Sequence, residues 1–292
     1  MDKPAIGFIG LGLMGAAFTG RLIKCGYAVT GYDIDLEKIE AAEAWGVRPA
    51  VSPAAVAQAA DIVLVCVTST AAVEDAVFGD HGVAEAGGGE KLLIDHSTTE
   101  VDATKDMAAR LAATGMAWID APVSGGPPAA AAGTLAIMAG GAPEAIAKAE
   151  PVMADLAARF THFGPVGAGQ VAKMVNQVLV LTNYCVLAEA LKLAENGEID
   201  AAKIPEALAD GHAGSNLLQA LYPRMLARDF EPAGFARQVL KDLDMVHDLA
   251  KQTKTPTPMA AQAATMFRLL VARGHGELDG AAILKLYDEP PV

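Results

Sequence analysis

The sequence predicts an open, doubly wound, mostly parallel α/β sheet followed by an all-helical domain, and three observations predict it. Short apolar runs alternate with helical stretches from Ala5 to Phe163, the alternation that builds parallel sheets through crossover helices. That pattern stops at Gly164-Pro165. Beyond it the apolar residues fall in helical segments, starting with a run from Gln170 to Asn196 that holds neither Gly nor Pro. The domains are therefore drawn at residues 1–163 and 164–292, the second opening on a long helix over about 168–196.

At about 1.5 Å per residue that helix is on the order of 40 Å long. Its middle is apolar nearly all round, which suits burial by other helices or by a second subunit. Lys173, Asn176 and Gln177 stand three and four apart and make one polar face in its opening turns. A lysine among Val, Met and Leu needs a partner, a route to solvent, or a task.

With 292 residues the chain has material for two domains, and its net charge of −13 comes without any basic stripe. No nucleic-acid partner is expected of such a chain. Cys25, Cys66 and Cys185 are scattered and form no CxxC pair, which reads as core residues in a reducing compartment. No ligand spacing for a metal is read. The start shows no signal-peptide pattern, and the longest uncharged run, Ala121 to Pro143, is broken by Gly and Pro. A cytoplasmic protein that does not enter membranes is expected.

Ala5–Ile9 reads as a buried strand that runs into Gly10-Leu11-Gly12-Leu13-Met14-Gly15 and then a helix to Lys24. Glycines spaced in this way between a strand and a helix let backbone N–H groups at the helix start approach a dinucleotide's diphosphate. Ala28–Tyr32 is the second strand. Asp33 follows, eighteen residues past Gly15, where an acid binds a ribose 2′-hydroxyl and repels a 2′-phosphate. No arginine stands beside it, so NAD is expected and NADP disfavoured.

Ser52-Pro53 starts a helix, and the strand Ile62–Val67 ends at Thr68-Ser69-Thr70 on the edge where such sheets bind ligands. Strand Leu92–Ile94 ends in the same way at Asp95-His96-Ser97-Thr98-Thr99. Val67, Thr68, Ser97 and Thr98 are read as cofactor contacts, and His96 as a local hydrogen-bonding residue. Strand Ala117–Ile119 leads into Asp120-Ala-Pro-Val-Ser-Gly-Gly126, a turn whose Ser124 hydroxyl and free N–H groups can hold a carboxylate. Strand Leu135–Ala139, a turn at Gly140-Gly141, a helix from Pro143 and strand Phe160–Phe163 complete the sheet. Helices then follow over Ile204–Gly211, Leu217–Ala227, Phe235–Thr253, Met259–Ala272 and Gly280–Tyr287. Lys241, on the third, is either a functional cation or half of an ion pair with Asp244 or Asp248.

Taken together, these residues resemble the β-hydroxyacid dehydrogenases, the group of 3-hydroxyisobutyrate dehydrogenase and tartronate semialdehyde reductase. GFIGLGLMG (7–15) looks like the cofactor fingerprint, and DAPVSGG with GTLAIMAGG (133–141) like the substrate signature. GxGxxxK, from Gly167 to Lys173, looks like the catalytic signature, and KDL (241–243) like the lysine motif that closes over the cofactor. The resemblance implies a Rossmann domain, a helical C-terminal domain hinged on the long helix, an active site in the cleft, and homodimers or homotetramers. It implies Lys173 as the catalytic residue, and Ser124, Gly125, Gly126, Asn176 and Gln177 as substrate contacts. Lys241 and Thr98 would lie at the nicotinamide end of NAD.

Three departures stand out. Gln177 occupies a position where many relatives carry Asn. GHAGSNL (211–217) lacks the aromatic of several relatives, and Pro127-Pro128-Ala-Ala-Ala-Ala lacks their charged residues. The reaction implied is reversible hydride transfer between NAD and a small 3-hydroxy carboxylate, with Lys173 as general acid/base. As a base it must present a neutral amine. Reduction of tartronate semialdehyde (2-hydroxy-3-oxopropionate) is the alternative within the family. From other classes come imine reduction, where relatives generally replace this lysine by Asp or Tyr, and a non-catalytic dinucleotide-binding role. Lys173 speaks against the first, and Lys173, Ser124 and Asp33 together against the second.

Overall fold

The computed structural model describes residues 3–89 and 91–288. They form two compact units, one ending at Lys173 and the other beginning at Met174.

In the first unit nine strands make one sheet. They are β1 (Ile6–Ile9), β2 (Val29–Tyr32), β3 (Arg48–Pro49), β4 (Ile62–Val65), β5 (Leu92–Asp95), β6 (Ala117–Asp120), β7 (Val123–Ser124), β8 (Leu135–Gly141) and β9 (Ala157–Gly164). Their order is β3-β2-β1-β4-β5-β6-β8-β7, with β9 also on β8. Pairing is parallel from β3 to β6, antiparallel for β6–β8 and β7–β8, and parallel again for β8–β9. This is the doubly wound, mostly parallel sheet that the alternation predicts. Helices α1 (Leu13–Lys24), α2 (Leu36–Glu43), α3 (Pro53–Gln58), α4 (Thr70–Phe78), α5 (Val101–Ala112), α6 (Gly126–Ala132) and α7 (Pro143–Leu156) connect the strands.

Because side chains alternate along a strand, β4 feeds two cores. Ile62 and Leu64 pack with Phe8, Phe18 and Leu22 on one face, while Val63 and Val65 pack with Ile9, Val73 and Met107 on the other. Strands buried on both faces read as unbroken apolar runs, which is why β1, β4 and β5 show no polar alternation.

One local expectation in this sheet does not hold. Gly140 and Gly141 are not a turn but the end of β8, opposite Asp120 and Ile119 of β6. A Cβ at Gly140 would come within 2.6 Å of the Asp120 carboxylate and 2.7 Å of the Pro165 carbonyl, so the strand passes there only without side chains. The chain does turn at Gly125 and Gly126, as expected, and a helix not read from the sequence follows at once. Gly126–Ala132 is helical, with proline in its first turn, where proline costs no hydrogen bond.

The long helix α8 (Ala168–Asn196) leads into α9 (Ile204–Ala207), α10 (Asn216–Leu226), α11 (Ala236–Thr253), α12 (Pro258–Leu270) and α13 (Lys285–Asp288). The helix expected over residues 204–211 is thus only four residues long. In the second unit Leu181, Cys185, Ala188 and Leu191 of α8 share a core with Tyr222, Met225, Leu243 and Phe267. By length and composition alone α8 would also span a bilayer, but this inner side is packed in protein. The cysteines are free thiols, and burial pushes those of Cys66 and Cys185 up to about 12. Lys241 pairs with Asp242, while Asp244 and Asp248 pair with Arg268 and Lys251.

At the carboxyl ends of β5 and β6, Asp95 and Asp120 sit side by side, both fully buried. Asp120 accepts the Gly167 N–H at 2.7 Å and the Gln170 N–H at 2.9 Å, and so holds the start of α8 to the sheet. Asp95 accepts the Ser97 N–H at 2.9 Å and the Thr99 hydroxyl at 3.4 Å. Loss of hydration outweighs these bonds and raises Asp95 to about 7 and Asp120 to about 6. Such a carboxyl holds its proton longer when folded than when unfolded. Its contribution to stability is therefore present below the ordinary carboxylate value and lost as pH rises through the folded one. Asn at 95 keeps an acceptor for Ser97 but cannot ionise. From pH 5 to pH 8 wild-type stability should accordingly fall by a few kcal/mol more than that of Asp95→Asn. Urea midpoints at the two pH values would read it, and equal changes would refute it.

Candidate active site

The glycine turn after β1 has one geometry open to it. At Gly10 φ is +96° and a Cβ would collide with the Cys66 carbonyl of β4's extension; at Gly15 a Cβ would collide with the Gly10 carbonyl. Side chains are thus excluded where strand, turn and helix touch. At Gly12 a Cβ would meet nothing within 4 Å, and no side chain caps α1 there. The first N–H groups of this twelve-residue helix thus have no side-chain acceptor, the arrangement a diphosphate requires. Leu11, Leu13 and Met14 lie along the same turn, and Leu13 is exposed.

Asp33 follows β2 and is 8 % exposed. One oxygen accepts the Leu11 N–H at 2.7 Å and the other the Asp35 N–H at 3.0 Å. The acid read as a ribose ligand is therefore also a brace for the fingerprint turn. Lys38, in the first turn of α2, stands 3.8 Å from it and 3.3 Å from Asp35, a cation beside the acid although no arginine is.

Val67 and Ser97 meet across the ends of β4 and β5, where the Val67 N–H donates to the Ser97 hydroxyl at 3.0 Å. Thr68 precedes Ser69, whose hydroxyl caps α4. Thr98 is partly exposed beside the buried Ser97. His96 is buried, stacked on Phe18 at 4.9 Å, with Nδ1 2.7 Å from the Ala121 carbonyl. Burial lowers its pKa to about 4, and its bond to Ala121 is the local hydrogen bond expected of it.

The Ser124 loop and Lys173 come together. Gly125 and Gly126 have φ of +127° and +67°, a double left-handed bend that turns the chain from β7 into α6. A Cβ at Gly125 would also press within 2.6 Å of the Ala129 side chain. Lys173 is only 7 % exposed and donates from Nζ to the Val123 carbonyl at 2.8 Å. The amine does not run out to solvent; it is aimed at the segment that carries Ser124, Gly125 and Gly126.

Gln170, one turn before the lysine, was not singled out from the sequence. It is fully buried, donates to the Ser97 carbonyl at 2.9 Å and accepts the Thr99 N–H at 3.1 Å. Its neighbours in the run from Gly167 to Lys173 were the available signal. In the second unit Asn176 donates to the Gln177 amide oxygen at 2.8 Å, and Gln177 donates to Asp242. Asp242 pairs at 3.1 Å with Lys241. Asn176, Gln177 and Lys241 thus form one network through Asp242, whose place in KDL was the clue to it. Among the described residues no group of three or more His, Cys, Asp or Glu could hold a metal ion.

Comparison with known proteins covers both units. Residues 5–164 match the model of the NAD-binding domain of 6-phosphogluconate dehydrogenase. Residues 167–287 match the model described as NAD-binding of NADP-dependent 3-hydroxyisobutyrate dehydrogenase. The L-threonate dehydrogenase of Cupriavidus necator is 34% identical over 284 residues, 97% of this chain and 95% of that protein. The NAD-dependent L-serine dehydrogenase of Pseudomonas aeruginosa is 32% identical over 290 residues, 97% of each. The crystal structure of a 3-hydroxyisobutyrate dehydrogenase from Salmonella typhimurium aligns with a TM-score of 0.89 at 27% identity, over 97% of this chain and 100% of that one. Matched in both parts and over nearly its whole length, the chain belongs to the β-hydroxyacid dehydrogenase family of dinucleotide-binding oxidoreductases.

Proposed function

We propose that the chain is an NAD-dependent 3-hydroxyacid dehydrogenase that acts on a small 3-hydroxy carboxylate of the 3-hydroxyisobutyrate type, with Lys173 as its general acid/base. The observation that carries this reading is the buried Lys173 amine, bonded to the backbone one residue before Ser124.

Bound NAD supplies the hydride acceptor at its nicotinamide. The residues of this chain do the rest. Ser124 and the N–H groups of Gly125 and Gly126 hold the substrate carboxylate by directed donors, with no cation needed in an acidic protein. Lys173, once neutral, takes the proton from the substrate hydroxyl as that carbon is oxidised, and returns it in the reverse direction. Its bond to Val123 fixes where the amine waits. Asn176, Gln177 and Lys241 are assigned to substrate and cofactor by the family pattern. Tartronate semialdehyde reduction would use the same residues in the reducing direction. The free thiols suit a reducing, cytoplasmic compartment.

Lys173→Ala should lower kcat at least ~10²-fold, the lower end of general acid–base effects, while NAD affinity is unchanged. Turnover would be followed as NADH absorbance over 3-hydroxyisobutyrate, L-serine, threonate and glycerate. Near-normal turnover in the variant would sink the assignment. NADP in the same screen should be weaker than NAD by about tenfold or more, because a 2′-phosphate beside Asp33 brings like charges together. Equal use of both would mean that Lys38 neutralises the acid.

The same reading includes self-association as a homodimer or homotetramer. Val175, Leu179, Val186 and Leu193 lie along α8 and are exposed, an apolar row of the kind a second subunit covers. Sedimentation equilibrium should give a mass two or four times the 30.0 kDa of the chain; a monomer at micromolar concentration would rule this out.

A further inference from the structure

Helix α8 begins with Gly167-Ala168-Gly169-Gln170 and has no Ser, Thr, Asp or Asn to cap itself. The first N–H groups of a helix have no partner within it, and here they lie against the sheet, away from water. Asp120, forty-seven positions earlier, supplies what is missing: one carboxylate oxygen takes the Gly167 N–H and the other the Gln170 N–H. A negative group at this end is also favoured by the helix dipole. Two glycines make the fit possible. A Cβ at Gly169 would lie 2.8 Å from the Asp120 carboxylate and 2.6 Å from its carbonyl, and one at Gly140 would lie 2.6 Å from that carboxylate.

Lys173 stands one turn beyond this cap, and its Nζ bonds to Val123, three residues after Asp120. The segment from Asp120 to Val123 therefore grips the helix twice, by its first turn and by the lysine's head. The Gln170 side chain adds a third tie, to the Ser97 carbonyl and Thr99 N–H after β5.

We propose that Asp120 is a positioning residue for Lys173: by holding Gly167 and Gln170 it sets the height of the helix, and so the place of the amine against the Ser124 loop. This rests on the function proposed above for Lys173. In this role its carboxylate acts on the lysine through the backbone of the helix start. Asparagine at 120 has the same shape but offers one acceptor and turns an NH₂ towards the other N–H, so the helix start must shift or rotate. Displacements of about 1 Å at a reacting group cost up to ~10²-fold in rate.

The test is Asp120→Asn, with kcat, the KM values for substrate and NAD, NAD affinity by fluorescence, and amide hydrogen exchange over residues 165–175. A positioning role predicts kcat lowered between about tenfold and hundredfold, NAD affinity retained, and faster exchange confined to Gly167–Lys173. Unchanged kcat per folded molecule would overturn it. So would equal losses of kcat and NAD affinity with exchange raised throughout, the mark of a merely weakened fold. Should the variant not fold, wild-type exchange answers alone. The Gly167 and Gln170 amides, exposed in an uncapped helix, should be strongly protected, and rapid exchange there would refute the cap. Exchange also separates the two ideas: if Lys173→Ala turned over normally the lysine's role would fall, while protection at Gly167 and Gln170 would still report on Asp120 by itself.

Discussion

A carboxylate with no access to water has to be satisfied by directed hydrogen bonds, and so do the first N–H groups of a helix packed against a sheet. Asp120 and the start of α8 meet both demands with one contact. Much of the surrounding sequence follows from it. Gly140 and Gly169 are glycines because a Cβ on either would press on the Asp120 carboxylate. Gln170 is an amide because it must donate to Ser97 and accept from Thr99 at the same time, which neither Glu nor Lys can do. The compact unit ends at Lys173 and not at the last strand, as expected when the first turns of a helix are bonded to the sheet.

Two helix N-termini in this unit answer the same problem in opposite ways. Helix α8 is closed from within by Asp120. Helix α1 begins after Gly12 with no side-chain cap, and a Cβ at Gly12 would meet nothing within 4 Å. Of the two helix starts, only that of α1 is left without a side-chain acceptor, as the phosphate role proposed for the glycine turn requires. The Asp33 carboxylate steadies that turn by accepting the Leu11 N–H.

What could be read from the sequence was local. The fingerprint is strand, turn and helix within some twenty residues, and each part announces the next. Lys173 was conspicuous because a lysine in an apolar helix is costly without a purpose. The parallel sheet showed through its unbroken apolar strands. What could not be read was long-range. Asp120 and Gly167 are 47 residues apart, and Gln177 and Asp242 are 65 apart; no periodicity links them. Gly140-Gly141 looked like a turn by the usual glycine rule, but tertiary crowding was the stronger reason for glycine. The helix at Gly126–Ala132 was legible in principle, since Pro followed by four Ala suits a helix start, but the reading stopped at the turn that ends with Gly126.

Gln177 departs from the family's usual Asn, and the structure offers a physical reason. Its amide is engaged at both ends, accepting from Asn176 and donating to Asp242. Asp242 is largely shielded from solvent and ion-paired with Lys241, so its second oxygen needs a donor, or it carries an unsatisfied charge at a cost of about 1–3 kcal/mol or more. The donor comes from α8 and the acceptor from α11. The extra methylene of Gln extends the amide's reach towards Asp242. Gln177 thus ties α8 to α11 through Asp242, while Asn176, immediately before it, puts a second amide on the same opening turns of α8 as Lys173.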